Sequence, residues 1–147
     1  MSHAINAGRF QVIPGEIQSI LDVAHNPHGA RALAEALRHQ PCQGSTGKTH
    51  AVTGMLADKD IAGVVKEMLP VVDVWHLAGL TVERGASSAQ LLEALQSIGP
   101  DTENTEYHQY PDVVTAWRAA HRNAQKDDRV VAFGSFHTVA ELLQHQQ

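Results

Sequence analysis

Cysteine is almost absent from this sequence: Cys42 stands alone, so no internal disulfide can form, and a reducing, cytoplasmic setting fits best. Aromatic residues make up only 5% of the chain. Basic residues are scarce too. Eleven Lys and Arg against 16 Asp and Glu give a formal charge of −5, and the basic residues are spread out rather than gathered into a patch. This argues against nucleic acid and against an anionic membrane as partners. No apolar run approaches the ~18 residues of a transmembrane helix. The polar stretch Met1–Gly8 has no apolar segment of the kind a secretory signal carries. Internal repeats and low-complexity segments are missing as well.

What remains is a 147-residue chain with 43% hydrophobic residues, the length and composition of one ordinary domain with a sizeable core. Residues 1–8 read as a flexible lead-in, and residues 9–147 as the domain itself. Short apolar β-type runs alternate with segments of helical spacing. Strands are predicted at Arg9–Ile13, Ser19–Ala24, Thr49–Met55, Val71–Leu77 and Arg129–Phe133, with a short edge strand near Tyr107–Gln109. Helices are predicted at Pro27–His39, Asp60–Leu69, from Ser87 to near Gly99-Pro100, from Pro111 to about Gln125, and from Gly134-Ser135 to Gln144. Asn26 suits an N-cap with Pro27 behind it, and Ser87 with Gln90 suits a capping box. Asp101–Glu106 reads as a loop and Lys126–Asp128 as a charged turn. Trp75, Trp117 and Phe136 read as core residues. Strands joined by helical crossovers imply an α/β fold with a mainly parallel sheet covered on both faces. Ligands of such sheets bind beyond the carboxyl ends of the strands. That rule nominates three turns: Asp22–His28, Gly54–Lys59 and Gly134–His137.

The first of these turns is the most informative. Asp22 closes an apolar strand, and His25 and Asn26 lie at the entry to a helix, whose free N–H groups and dipole favour anions. Asp22 suits either ribose hydroxyls or the orientation of His25, and His25 suits a carboxylate or a phosphate. The alternative is structural, with Asn26 only capping and Asp22 bonding nearby backbone. The last turn repeats the design: Gly134 permits a tight turn or a close approach, and Ser135 suits either a cap or a donor to a substrate carboxylate. Of the ten histidines, His25 and His137 hold the most telling places in these turns, and most read as surface residues or local hydrogen-bonders.

Three tempting patterns are set aside. Asp22, His25 and Ser135 follow the order of one hydrolase triad, but Phe133 and His137 stand where a nucleophile elbow needs glycine. Gly44–Thr49 (GSTGKT) resembles a phosphate loop, but Cys42 replaces the first glycine, and the segment follows a helix and opens a strand, the reverse of the required context. His25 and His28 have no third ligand nearby, so no metal site is expected on this chain. Glu83 and Arg84 read as a surface ion pair.

The segments GRFQ (Gly8–Gln11), ILDVAHNPHGA (Ile20–Ala30), GMLADKD (Gly54–Asp60) and GSFHTVAELL (Gly134–Leu143) together resemble the C-terminal domain of bacterial folylpolyglutamate synthase/dihydrofolate synthase, in the Mur ligase superfamily. The resemblance covers the chain from Gly8 onward, in order. It implies a Rossmann-like, mostly parallel six-stranded sheet. It also implies an ATP- and magnesium-dependent ligase that activates a carboxylate of dihydropteroate or a reduced folate as an acyl phosphate and joins it to L-glutamate. By the same resemblance Arg9 and Asp22 are expected at the nucleotide. His25 is the expected catalytic residue, near glutamate and phosphates, and Ser135 is expected at glutamate. Asp58 and Lys59 match a loop facing the cleft. The family's P-loop, magnesium ligands and folate pocket belong to an N-terminal ATPase domain with no counterpart in this sequence, so the chain alone is expected to be inactive. A binding module for a nucleotide or amino acid, without catalysis, is the alternative.

Overall fold

The computed structural model describes residues 9–42, 47–98 and 105–145. The lead-in 1–8, the first half of the GSTGKT segment, the Gly99-Pro100 helix end and most of the Asp101–Glu106 loop lie outside them. In chain order the elements are β1 (Gln11–Ile13), β2 (Gln18–Leu21), α1 (Pro27–His39), β3 (Thr49–Thr53), α2 (Ile61–Met68), β4 (Val74–Ala78), α3 (Ser88–Gln96), β5 (Glu106–Tyr110), α4 (Val113–Asn123), β6 (Arg129–Phe133) and α5 (Phe136–Gln144). A 3-10 turn, Leu69–Val71, carries Pro70 between α2 and β4. Among the described residues no helix is long and apolar enough to cross a membrane.

Each α-helix starts where a side chain takes over an orphan backbone donor. Asn26 accepts from the Gly29 N–H, Asp60 from Gly63, Ser87 from Gln90, Asp112 from Thr115 and Ser135 from His137. Each such cap contributes about 1 kcal/mol. Ser87 and Gln90 complete the expected capping box. Two starts differ from expectation. Asp60 is the cap of α2 rather than its first residue, and α4 begins at Val113 because Asp112, not Pro111, supplies the cap. Several predicted strands also shift at their ends: β1 starts at Gln11, β2 runs from Gln18 to Leu21, β4 begins at Val74 after the 3-10 turn, and β5 is longer than expected, taking in Glu106 from the predicted loop.

The sheet order is β1-β2-β6-β3-β4-β5, parallel throughout except for the antiparallel edge pair β1–β2. Side chains alternate between two cores. Ile20, Ala51, Trp75, Leu77, Val131 and Phe133 pack with α1, α2 and α3, whereas Leu21, Val52, Ala78, Val130 and Ala132 pack with α4 and α5. Right-handed crossovers dictate this division. The crossovers to β3, β4 and β5 step outward in one direction and lay α1–α3 on one face, and α4 steps back, so it lies on the other. The returning strand, β6, inserts between β2 and β3. It is buried along its whole length, as its apolar run predicts. Trp75 and Trp117 are core residues as expected, but Phe136 is 71% exposed. The buried stripe of α5 is Thr138, Val139 and Leu142, and the first residue of that helix projects beyond the sheet.

At the amino edge, the sheet is tied together by buried polar groups. Arg129 donates to the Leu37 carbonyl (3.1 Å), to the Gln40 carbonyl and to Thr49 Oγ1 (2.9 Å), so one guanidinium closes the carbonyl end of α1 and joins it to β3 and β6. Beside it, Asp128, which follows the turn at Lys126 and Asp127, is buried. It accepts from the Lys48 and Gln125 N–H groups and lies 3.1 Å from His50. His50 contacts His76, which is fully buried. These histidines are neither surface residues nor local hydrogen-bonders; β3 and β4 carry them into the α4 core.

Burial, reinforced by the neighbouring imidazoles His50 and His108, lowers the His76 pKa from 6.5 to about 4. The unfolded chain therefore binds this proton more readily than the folded one. Stability from this group is complete above about pH 6.5 and falls as pH drops toward about 4, by about 3 kcal/mol in all. Denaturation midpoints measured across that window are expected to decline with falling pH, and His76→Phe is expected to flatten the decline. An equal slope in the variant would assign the acid sensitivity elsewhere.

Candidate functional site

The three nominated turns follow β2, β6 and β3, which are neighbours in the sheet. They meet at the carboxyl edge around Gly134. The Gly134 N–H donates to the Ala24 carbonyl (2.8 Å), joining the first turn to the last. Its φ is +119°, and a Cβ there would come within 2.6 Å of both the Gly54 carbonyl oxygen and Thr53 Oγ1. Only glycine fits both constraints. Two hydroxyls complete the junction: Thr53 Oγ1 donates to the Phe133 carbonyl and Thr138 Oγ1 to the Gly54 carbonyl, each at 2.9 Å.

Beside this junction lies a cavity of about 470 Å3 whose walls include Arg9, Phe10, Asp22, His25, His28 and Asn26. Asp22 organises it. One carboxylate oxygen accepts from the Phe10 N–H (2.9 Å) and the other from the Ala24 N–H (2.8 Å). The first bond holds the chain at Phe10, whose φ is +44°, and so places Arg9 at the cavity mouth. Burial raises the Asp22 pKa, against the pull of those two N–H donors and of Arg9. His25 is exposed, and its Nδ1 lies 3.0 Å from the Val23 carbonyl. A carbonyl can only accept, so Nδ1 carries the proton and Nε2 has no partner among the described residues. Asn26 caps α1 and Pro27 follows, so the α1 N-terminus opens on the same wall.

The other predicted site residues are placed differently. Ser135 is buried, caps α5 through the His137 N–H (3.0 Å), and does not line this cavity. Asp58 and Lys59 are exposed in the turn after β3. Asp58 pairs with Arg84 at 2.9 Å, so the surface ion pair expected of Arg84 forms with Asp58 rather than with Glu83. The Ala57 N–H donates to the Arg84 carbonyl (2.7 Å), bracing that turn against the loop after β4. No hydrolase triad is assembled: Asp22 is committed to backbone, His25 to its own turn, and Ser135 to its helix. Among the described residues no three His, Cys, Asp or Glu side chains converge in a manner that could hold a metal ion. Gly47 and Lys48 lead into β3, which Thr49 opens at the amino edge, at the other end of the sheet from the cavity. The role of Phe10 escaped sequence reasoning. Its signal is tertiary, a backbone N–H captured by a carboxylate twelve residues later.

Comparison with known proteins gives a consistent picture. The pattern of the Mur ligase, glutamate ligase domain, matches residues 8–136. The dihydrofolate synthase/folylpolyglutamate synthase of Escherichia coli (strain K12) is 40% identical over 144 residues, 98% of this chain and 31% of that protein. The crystal structure of the bifunctional folylpolyglutamate synthase/dihydrofolate synthase of Yersinia pestis with AMPPNP and Mn ion superposes with a TM-score of 0.83 at 44% identity, covering 95% of this chain and 31% of that one. A structure of such an enzyme with Mn, AMPPNP and L-glutamate bound has a TM-score of 0.81 at 47% identity, with the same coverage. The chain thus spans about a third of the length of these relatives.

Two substitutions probe the junction. Gly134→Ala is expected to destabilise the fold by about 2 kcal/mol or more, from the left-handed backbone and the blocked approach together. Asp22→Ala leaves two backbone donors unpaired and is expected to cost about 2 kcal/mol. Chemical denaturation measures both, and a neutral Gly134→Ala would mean that the three turns are not held by this contact.

Proposed function

The chain belongs to the Mur ligase glutamate ligase domain family, and from that premise we propose that it is the glutamate-side, lid domain of an ATP-dependent amide ligase acting on dihydropteroate or reduced folates. The observation that carries this reading is the close structural likeness to an enzyme holding AMPPNP and L-glutamate, together with a cavity that gathers Arg9, Asp22, His25 and a helix N-terminus on one edge.

The chemistry asks for such groups. A carboxylate oxygen of the acceptor attacks the γ-phosphorus of ATP, and ADP leaves. The amino group of L-glutamate then attacks the acyl carbon, phosphate leaves, and the amine gives up a proton. Negative charge accumulates at each stage. Arg9 supplies a fixed positive charge at the cavity mouth, where it suits the nucleotide phosphates. Asp22, held by Phe10 and Ala24, sets the position of Arg9 and has lone pairs left for a ribose hydroxyl. His25 presents Nε2, and the α1 N-terminus favours a carboxylate or phosphate oxygen. Ser135 retains a hydroxyl proton to donate, and its place on the neighbouring turn suits the glutamate carboxylate in a closed state. Asp58 and Lys59 stand on the rim that would face the nucleotide-binding domain. Closure of the lid would keep water from the acyl phosphate. Magnesium does not fit the side chains described here, so we place its ligands, with the P-loop and the folate pocket, in the remaining length of the enzyme. We assign residues 9–147 to this domain and the catalysis to the assembled whole, with the cytoplasm as its setting.

A domain exchange tests the proposal. This chain replaces the matching segment of the Escherichia coli relative, and ATP-dependent coupling of labelled L-glutamate to dihydropteroate is measured. The exchange is expected to be active. Arg9→Ala and His25→Ala are expected to lower kcat/KM by about 100-fold or more, and the 147-residue chain alone to form no amide. A folded but inactive exchange, or amide formation by the chain alone, would overturn the proposal; the second outcome would place the whole reaction in this domain.

A further inference from the structure

Three neighbouring strands each turn a histidine toward α4: His50 on β3, His76 on β4 and His108 on β5. The rings stack in sequence, with centroids 5.3 Å apart for His50 and His76 and 5.5 Å for His76 and His108. A line of hydrogen bonds runs through two of them. Asp128 Oδ2 lies 3.1 Å from His50 Nε2, His50 Nδ1 lies 3.1 Å from His76 Nε2, and His76 Nδ1 lies 3.0 Å from the Tyr110 hydroxyl. His50 and Asp128 open on a polar cavity of about 480 Å3 at the amino edge, and Tyr110 lies on the edge strand β5. The site of the proposed ligase chemistry uses none of these groups.

Donor counting fixes the direction of each bond. An ionised Asp128 only accepts, so His50 carries its proton on Nε2. Neutral His50 must then accept at Nδ1, so His76 carries its proton on Nε2 and accepts at Nδ1 from the Tyr110 O–H. One added proton permits a second, equally complete arrangement. The incoming proton binds the Tyr110 oxygen as the original hydroxyl proton passes to His76 Nδ1. The Nε2 proton of His76 passes to His50 Nδ1. His50 is then an imidazolium against the Asp128 carboxylate, and His76 is neutral again but in its other tautomer. All three bonds survive; those between His50 and His76 and between His76 and Tyr110 reverse, and the Tyr110 hydroxyl hydrogen turns away from His76.

We propose that Asp128, His50, His76 and Tyr110 form a reversible proton wire across the α4 face of the sheet, which takes up one proton at the β5 end and displays the charge at the amino-edge cavity. The Asp128 carboxylate, 3.1 Å from His50, favours that end point. Glu106 is engaged with His108 at 2.9 Å, leaving Asp128 as the carboxylate in contact with the wire. Lys48 and Lys126 line the cavity beyond it, where their charge opposes an imidazolium, and Asp127 and Glu106 on the same walls offset them. On α4, His121 is engaged with Ser19 at 2.7 Å, and Arg122 lies on the Tyr110 side, where positive charge disfavours retention of the proton. A second proton would place two charged imidazoles 3.1 Å apart in the core. Burial above all, and then this repulsion, depress the His76 pKa.

Long-range proton–nitrogen correlation spectra of the chain with 15N-labelled histidine test the inference between about pH 8 and about pH 5, the range over which imidazoles titrate. His50 is expected to gain its second N–H. In the same step the unprotonated nitrogen of His76 is expected to move from Nδ1 to Nε2, with no His76 imidazolium. Asp128→Asn is expected to shift that step to lower pH by about one unit or more, because it removes the charge that holds the proton. The inference fails if His76 keeps Nε2–H until the fold is lost, if His50 and His76 charge in one step, or if Asp128→Asn leaves the midpoint where it was.

Discussion

The architecture of the carboxyl edge depends on one close approach, that of the Gly134 backbone to Gly54 and Ala24. β6 is the last strand to be made and one of the two central strands of the sheet. To enter between β2 and β3 it must leave them by a turn narrow enough to pass under the β3 turn and still bond to the β2 turn. A residue with a Cβ meets the Gly54 carbonyl at 2.6 Å, and the φ of +119° is unfavourable for it as well. With glycine there, Asp22–Asn26, Gly54–Lys59 and Ser135–His137 become neighbours, although more than 100 residues separate the first from the last. The cavity beside them follows from that contact and from the Asp22 carboxylate, which gathers the Phe10 and Ala24 N–H groups.

The two edges of the sheet divide their labour. At the carboxyl edge the α1 N-terminus is exposed and His25 Nε2 has no partner among the described residues, so polar groups remain for a ligand. At the amino edge the polar groups are spent on one another. Arg129 closes the end of α1, Asp128 gathers two backbone donors, and His50 and His76 carry the network into the core. Adjacent residues at the start of β6 thus do opposite electrostatic work: Asp128 serves the α4 face, Arg129 the α1 face. Buried polar groups cost free energy unless all are paired, which is why this network forms a connected line rather than isolated contacts.

Much of the fold was legible in the residues. Pro27–His39 was predicted to the residue, because Asn26, Pro27 and the spacing of Ala30, Leu33, Ala34 and Leu37 all act within one helix. Arg129–Phe133 was legible for a similar reason, an uninterrupted apolar run that only a strand buried on both faces needs. The three turns of the carboxyl edge followed from the rule for parallel sheets, and Arg9, Asp22 and His25 do share one cavity. Ser135 shows where such reasoning stops: its cap was legible, but its separation from that cavity depends on the direction in which α5 leaves the sheet.

The sequence by itself determined the caps at Asn26, Ser87 and Ser135, the strand and helix segments and the family resemblance, because these rest on hydrogen bonds and spacings within a few residues of one another. The tertiary structure alone decided that β6 lies between β2 and β3, that Phe136 faces outward, and that His50, His76, Tyr110 and Asp128 meet. Those outcomes depend on strand order and register. One step in the pairing of β3 with β4 would carry a histidine to the other face of the sheet, and nothing in the sequence near His50 or His76 states which strand will lie beside it.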